Sequence, residues 1–183
     1  MRIISGKYKG RRINAPSNIT ARPTTDFAKE GLFNLLNNRI DFEEIDVLDL
    51  FAGTGSISIE FVSRDCKNVI SIEQNDRHCN FIRKICTDLK ISNLSLIKTD
   101  VFKFIGSCHT QFDMIFADPP YELGNIAEIP SIIFSHNLLK SEGLFVLEHS
   151  AKNNFTNHPN FVDHRNYGNV NFSFFENLTQ TTI

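Results

Sequence analysis

Five strand-like runs separated by four segments of helical spacing fill the chain from Asp46 to Glu148, and this alternation limits the fold more than any other feature. The runs are Val47 to Phe51, Val69 to Glu73, Leu94 to Lys98, Phe112 to Ala117 and Gly143 to Glu148, with helices near 56 to 64, 76 to 90, 101 to 106 and 127 to 138. A strand with one wet face alternates apolar and polar residues, whereas Leu144-Phe145-Val146-Leu147 has no polar break. Such runs predict a parallel sheet covered by helices on both faces, an α/β fold. A chain of 183 residues is expected to form a single domain, 1–183, with residues 1–23 as a basic arm and 24–183 as a Rossmann-like core.

The flanks read differently. Phe161 to Tyr167 and Val170 to Asn177, joined through Gly168-Asn169, predict an antiparallel hairpin; Phe172 and Phe174 against Ser173 and Phe175 leave its buried face open. Thr24-Thr25-Asp26 starts a helix over about 26 to 38, whose apolar face is Phe27, Leu32, Phe33, Leu35 and Leu36. Before it, residues 2 to 15 predict a β-hairpin or ribbon broken by Gly6 and Gly10. Residues 1 to 25 carry Arg2, Lys7, Lys9, Arg11, Arg12 and Arg22 and no acid, leaving 13 basic against 21 acidic residues in the rest. Two readings of that arm stay open: a local contact with a polyanion, or a solvated terminus.

Several classes are excluded by what the chain lacks. Its apolar runs fall far short of the roughly 20 residues that span a bilayer, so no membrane association is expected. Met1-Arg2-Ile3-Ile4 is followed by Ser5, Gly6 and Lys7 rather than an apolar stretch, so a cytoplasmic location is expected. Cys66, Cys79, Cys86 and Cys108 form no Cys-x-x-Cys pair and have no His at ligand spacing, so no metal is expected. Cys79 and Cys86, seven apart on one helix face, are expected to pack as small hydrophobes.

Asp49-Leu50-Phe51-Ala52-Gly53-Thr54-Gly55 sits where the first strand hands over to a helix, the place where open α/β sheets bind ligands. Gly53 and Gly55 permit a tight turn and a close approach to the backbone. Asp49 is expected to face a cationic amino-acid portion, and Glu73, at the end of the second strand, to take ribose hydroxyls. Asp100 follows the third strand, where it can meet an adenine amino group, cap the helix beginning at Val101, or do both. The missing third glycine, the Asp before the turn and the further carboxylate at Asp100 favour S-adenosylmethionine over a dinucleotide. Gln74 and Asn75 are given no role.

Asp118-Pro119-Pro120-Tyr121 ends the fourth strand and is the more specific motif. The lone pair of an exocyclic amino nitrogen is delocalised into its ring, so a site that alkylates it must favour the pyramidal form. The Asp118 carboxylate and the Pro119 carbonyl can each accept one amino hydrogen, with the two prolines holding those acceptors in place. Tyr121 offers a ring on which an extruded base can stack. The motif therefore predicts direct methyl transfer to a base amino group, with Asp118 orienting the nitrogen rather than serving as a strong base. No cysteine follows a proline, which disfavours the covalent chemistry used at cytosine C5.

The segments RIISGKYKGRRI, RPTTDFAKEGLFNLL, LDLFAGTGSISIE, ADPPY and LFVLEHS, in this order, resemble the RsmD family of 16S ribosomal RNA guanine-N2 methyltransferases across almost the whole chain. The resemblance implies a class I methyltransferase sheet of seven strands, the last antiparallel, preceded by a β-hairpin arm. It implies a guanine in the small subunit or an assembly intermediate as substrate; the protein is expected to act as a monomer. Matched by position, Gly53, Gly55, Glu73 and Asp100 bind the cofactor, and Asp118, Pro119 and Tyr121 hold the guanine amino group. Lys7, Lys9, Arg11, Arg12 and Arg22 contact RNA phosphates, with Arg22 alternatively reaching the target nucleotide. The chain departs from the family pattern at Asn169-Val170, where a Thr is usual.

Other readings share these motifs. A DNA adenine or cytosine amino-methyltransferase has the same loop chemistry but usually needs an added recognition domain. A release-factor glutamine methyltransferase would call for Asn at position 118. A non-catalytic ribosome-assembly protein with a vestigial cofactor fold would not be expected to keep Glu73, Asp100, Asp118 and Tyr121 together.

Overall fold

The computed structural model describes residues 1–16 and 25–177. Helix α1 (Asp26–Leu36) comes first, its open end capped by the Thr25 hydroxyl, which accepts from the Ala28 amide at 3.1 Å. Strands β1 (Asp46–Asp49), β2 (Asn68–Glu73), β3 (Leu94–Lys98), β4 (Phe112–Ala117) and β5 (Leu139–His149) then alternate with helices α2 (Ser56–Ser63), α3 (Asp76–Leu89), α4 (Val101–Ser107) and α5 (Ile129–Ser135). A hairpin of β6 (Phe161–Tyr167) and β7 (Val170–Glu176) closes the chain.

These strands form one seven-stranded sheet in the order β3-β2-β1-β4-β5-β7-β6. The first five are parallel, and β7 slots between β5 and β6, antiparallel to both. That interior place answers the open question about β7: Phe172 and Phe174 pack on one face and Phe175 on the other, all fully buried. Alternation does the same along β5, where Leu144 and Val146 join the layer of α1 and α2 while Phe145 and Leu147 join that of α4 and α5. Strand order reverses between β1 and β4, which opens a crevice at their carboxyl ends.

Phe27, assigned to the apolar face of α1, is 70% exposed with its ring edge-on to Tyr167, and two elements differ from expectation in their bounds. α5 is shorter than 127 to 138, because a 3-10 turn (Ile126–Glu128) precedes it and Asn137, with φ of 52°, turns the chain left-handed after it. β5 starts earlier than Gly143: Leu139 already pairs with Phe112, and the polar stretch Lys140-Ser141-Glu142 is an irregularity within the strand. Cys79 is buried as expected, whereas Cys86 is half-buried. Among the described residues no helix is long and apolar enough to cross a membrane.

The amino-terminal segment is a hairpin in outline, with a single antiparallel bridge between Arg2 and Arg12. It lies along α2 instead of standing away from the body. The Ile4 and Ser5 amides donate to the Glu60 carboxylate at 2.9 and 3.0 Å, and the Lys7 amide donates to the Ser63 carbonyl at 2.7 Å. Gly6 makes this approach possible: its φ is +79°, and a Cβ there would sit 1.7 Å from the Ser63 carbonyl oxygen.

Candidate active site

A cleft of about 870 Å³ opens at the carboxyl edge of the sheet, over the point where strand order reverses. On its β1–β3 side it is lined by Phe51, Gly53, Glu73, Asn75, His78, Asp100 and Phe102. On its β4–β5 side it is lined by Asp118 through Leu123 and by Glu148, with Thr25 and Val170 at the margin. The two motifs that sequence spacing singled out, 65 residues apart from Gly53 to Asp118, therefore face one space.

The glycine turn is shaped by its own backbone. Gly53 and Gly55 have φ of 53° and 77°, and a Cβ on Gly55 would meet Ile82 Cγ1 at 3.0 Å. Glu73 is nearly buried and fixed from two sides: its Oε2 accepts from the Gly53 amide at 2.8 Å and its Oε1 from the Asn75 amide at 2.7 Å. A carboxylate so held keeps its orientation without a ligand, so little ordering cost remains for binding. Asp100 does cap α4, accepting from the Lys103 amide at 3.0 Å, and it lines the cleft as well.

Asp49 and Gly55 stand behind the cleft wall rather than on it. Asp49 is buried under α2: one carboxylate oxygen accepts from the Ser58 hydroxyl, and Oδ1 has no hydrogen-bond partner. Burial, opposed by the Ser58 contact and assisted by the nearby Glu73 charge, pushes its carboxyl from an ordinary 3.8 up to about 7. The folded state thus binds this proton more tightly than the unfolded chain. Its stabilising contribution is full below about pH 4 and is lost as pH rises through about 7. Asp49→Asn is accordingly expected to shrink the fall in unfolding free energy between about pH 5 and pH 8 by about 1–4 kcal/mol. Urea unfolding of both proteins at the two pH values reads this, and an equal fall in both would contradict it.

Asp118 follows directly from Ala117, the last residue of β4, so the sheet sets where its loop begins. Tyr121 is 41% exposed, leaving its ring accessible at the mouth, while its hydroxyl lies 3.4 Å from Glu148 Oε1. Glu148 was not anticipated from sequence, since a lone Glu closing an apolar strand carries no pattern. Asn75 was also passed over. Its position before Asp76 is a helix-start signal, and its side chain accepts from the Arg77 and His78 amides at 2.9 and 3.4 Å.

The wall's charge narrows the ligand. Glu73, Asp100, Asp118, Glu122 and Glu148 line the cleft, and no Lys or Arg does among the described residues. Such a surface suits a ligand carrying positive charge, as the sulfonium and ammonium of S-adenosylmethionine do, and repels the pyrophosphate of a dinucleotide. The residues present fit that cofactor.

The expected RNA contacts are distributed unevenly. Arg22 lies outside the described residues. Lys7 pairs with Asp65 at 2.8 Å, an exposed contact that a phosphate can compete with. Lys9, Arg11 and Arg12 are exposed. The hairpin's tip docks at Ser63, the far end of α2, whereas Gly55 at the near end adjoins the cleft, so α2 separates Lys7 from the cleft by roughly 10 Å or more.

The family described as conserved hypothetical protein 95 matches residues 1–176. The chain is 32% identical over 148 residues to Ribosomal RNA small subunit methyltransferase D of Buchnera aphidicola, covering 81% of this chain and 75% of that protein. It is 30% identical over 166 residues to the protein of the same name from Escherichia coli K12, covering 90% and 83%. A third relative is the Putative rRNA methyltransferase YlbH of Bacillus subtilis, 33% identical over 159 residues, covering 83% and 84%. Among solved structures, the Putative methyltransferase yhhF from Escherichia coli superposes with a TM-score of 0.85 at 27% identity, covering 98% of this chain and 99% of that one.

Proposed function

The chain belongs to this family, the RsmD family, and on that footing we propose that it transfers a methyl group from S-adenosylmethionine to the exocyclic N2 of a guanine in 16S ribosomal RNA. It does so as a single catalytic domain with a basic arm, working as a cytoplasmic monomer on the small subunit or its assembly intermediate. The observation that carries this reading is the meeting of Glu73 and the Asp118-Pro119-Pro120-Tyr121 loop in one acidic cleft.

Bound S-adenosylmethionine supplies an electrophilic sulfonium methyl. Glu73 accepts from the ribose hydroxyls and Asp100 from the adenine amino group, while the Gly53 to Gly55 turn leaves room for the ligand against the backbone. Asp118 and the Pro119 carbonyl accept the two hydrogens of the guanine amino group and turn its lone pair toward the methyl. Tyr121 stacks on the extruded base. Asp49 acts from behind the wall rather than by contact, its buried carboxyl holding α2 beside the turn through the Ser58 hydroxyl.

Lys7, Lys9, Arg11, Arg12 and Arg22 hold the RNA by its phosphates. Neutralising Lys9, Arg11 and Arg12 together is expected to flatten the slope of log affinity against log salt by about two units. Cofactor affinity stays unchanged. An unaltered slope in the triple variant would remove the arm from the RNA interface.

The reading is tested by incubating the protein with methyl-labelled S-adenosylmethionine and small-subunit RNA or particles, followed by nucleoside analysis. Label in N2-methylguanosine is expected. Label confined to another nucleoside would overturn it.

A further inference from the structure

We propose that Glu148 reads the Watson–Crick edge of the target base, accepting the N1 hydrogen of guanine and thereby excluding adenine and cytosine. This assignment rests on the guanine reading above. Glu148 lines the cleft although it is only 3% exposed. Ala117 pairs with Leu147 in the parallel ladder, so Asp118 and Glu148 are the next residues on neighbouring strands, which lie about 4.8 Å apart. The Tyr121 hydroxyl, 3.4 Å from Oε1, ties the carboxylate to the ring on which the base stacks.

The three amino-bearing bases differ beside the amino group. Guanine places a second donor, N1–H, next to its N2 amino group, whereas adenine presents the N1 lone pair next to N6 and cytosine the N3 lone pair next to N4. With Asp118 and the Pro119 carbonyl taken up by the amino hydrogens, the neighbouring ring atom meets Glu148. An ionised carboxylate only accepts. It satisfies guanine N1–H with a charge-assisted hydrogen bond. Opposite adenine or cytosine, two acceptors face each other and repel where guanine supplies a hydrogen, which is the kind of mismatch that yields strong discrimination. The loop fixes which group is methylated, and Glu148 fixes which base presents it.

2-Aminopurine separates the two roles, because it keeps the 2-amino group but has an N1 lone pair in place of N1–H. In small-subunit RNA carrying guanosine or 2-aminopurine at the mapped target position, the wild-type protein is expected to prefer guanine by roughly 100-fold or more in kcat/KM. Glu148→Gln, whose amide can donate to N1, is expected to slow guanine methylation and to bring the two substrates within about tenfold. Glu148→Asp keeps an acceptor-only group, so it is expected to lose rate while retaining the preference. Thermal unfolding and cofactor affinity of each variant report whether the fold is intact. N2-methylguanosine formed with an unchanged preference in a folded Glu148→Gln protein overturns the assignment alone. A wild-type protein that forms no N2-methylguanosine overturns the guanine reading and the assignment with it.

Discussion

Asp118→Ala is expected to lower kcat for methyl transfer by about 10²–10³-fold while leaving the dissociation constant for S-adenosylmethionine within about twofold. The asymmetry follows from where the residue stands. Asp118 follows β4, on the opposite side of the strand-order reversal from Glu73 and Asp100, so its loss leaves the proposed cofactor half of the cleft untouched. In the proposed reaction, what is lost is one of two acceptors for the amino hydrogens, and with it the pyramidal nitrogen that attack requires. Asp118→Asn retains an oxygen acceptor and is expected to recover part of the rate. Isothermal titration with the cofactor and single-turnover methylation separate the two quantities. A full-rate Asp118→Ala enzyme would refute this role for the loop.

The largest expected effect on stability lies away from the cleft, at Glu60. This carboxylate is fully buried and accepts the amides of Ile4 and Ser5. It also stands 3.6 Å from the ammonium of Lys29 and 3.4 Å from the guanidinium of Arg64. Lys29 is itself buried, donating to the Arg2 carbonyl at 2.7 Å and the Ser56 hydroxyl at 3.1 Å. Burial pulls its pKa below the ordinary lysine value, and Glu60 acts in the opposite direction. Glu60→Ala would strand that cation and two backbone donors together, which is expected to cost about 3–5 kcal/mol. For a chain of this size that is a fall in Tm of roughly 10–15 °C. The amino-terminal hairpin should loosen first, because Glu60 is its anchor on α2; hydrogen exchange at Ile4 and Ser5 reads this directly. A Tm within a few degrees of wild type would show that the network contributes little.

The parallel sheet was legible because its central strands β1, β4 and β5 carry buried apolar runs with no polar break, as at Leu144 to Leu147, and because Asp100 marks the start of a helix. Both chemical motifs were legible for a related reason. Sharp strand-to-loop turns require Gly or Pro, and these residues mark their positions in any sequence. The hidden parts depend on distance across the fold. Nothing near Glu60 announces that it will meet Lys29, 31 positions earlier, since a Glu in an amphipathic helix usually faces water. Glu148 is silent for the same reason, because only the pairing of β5 with β4 sets it beside Asp118. The arm was read as basic and hairpin-like, but its docking along α2 turns on Gly6 passing the Ser63 carbonyl, a contact between residues 57 positions apart.

The reaction proposed for this cleft is methylation of the N2 of a guanine in small-subunit ribosomal RNA. It is tested most directly by nucleoside mass spectrometry of that RNA from cells with and without the gene, with the Asp118→Ala form as a complementing control. N2-methylguanosine is expected to fall when the gene is removed, to return with the wild-type gene and to stay low with Asp118→Ala. An N2-methylguanosine level unchanged by removal of the gene would contradict it.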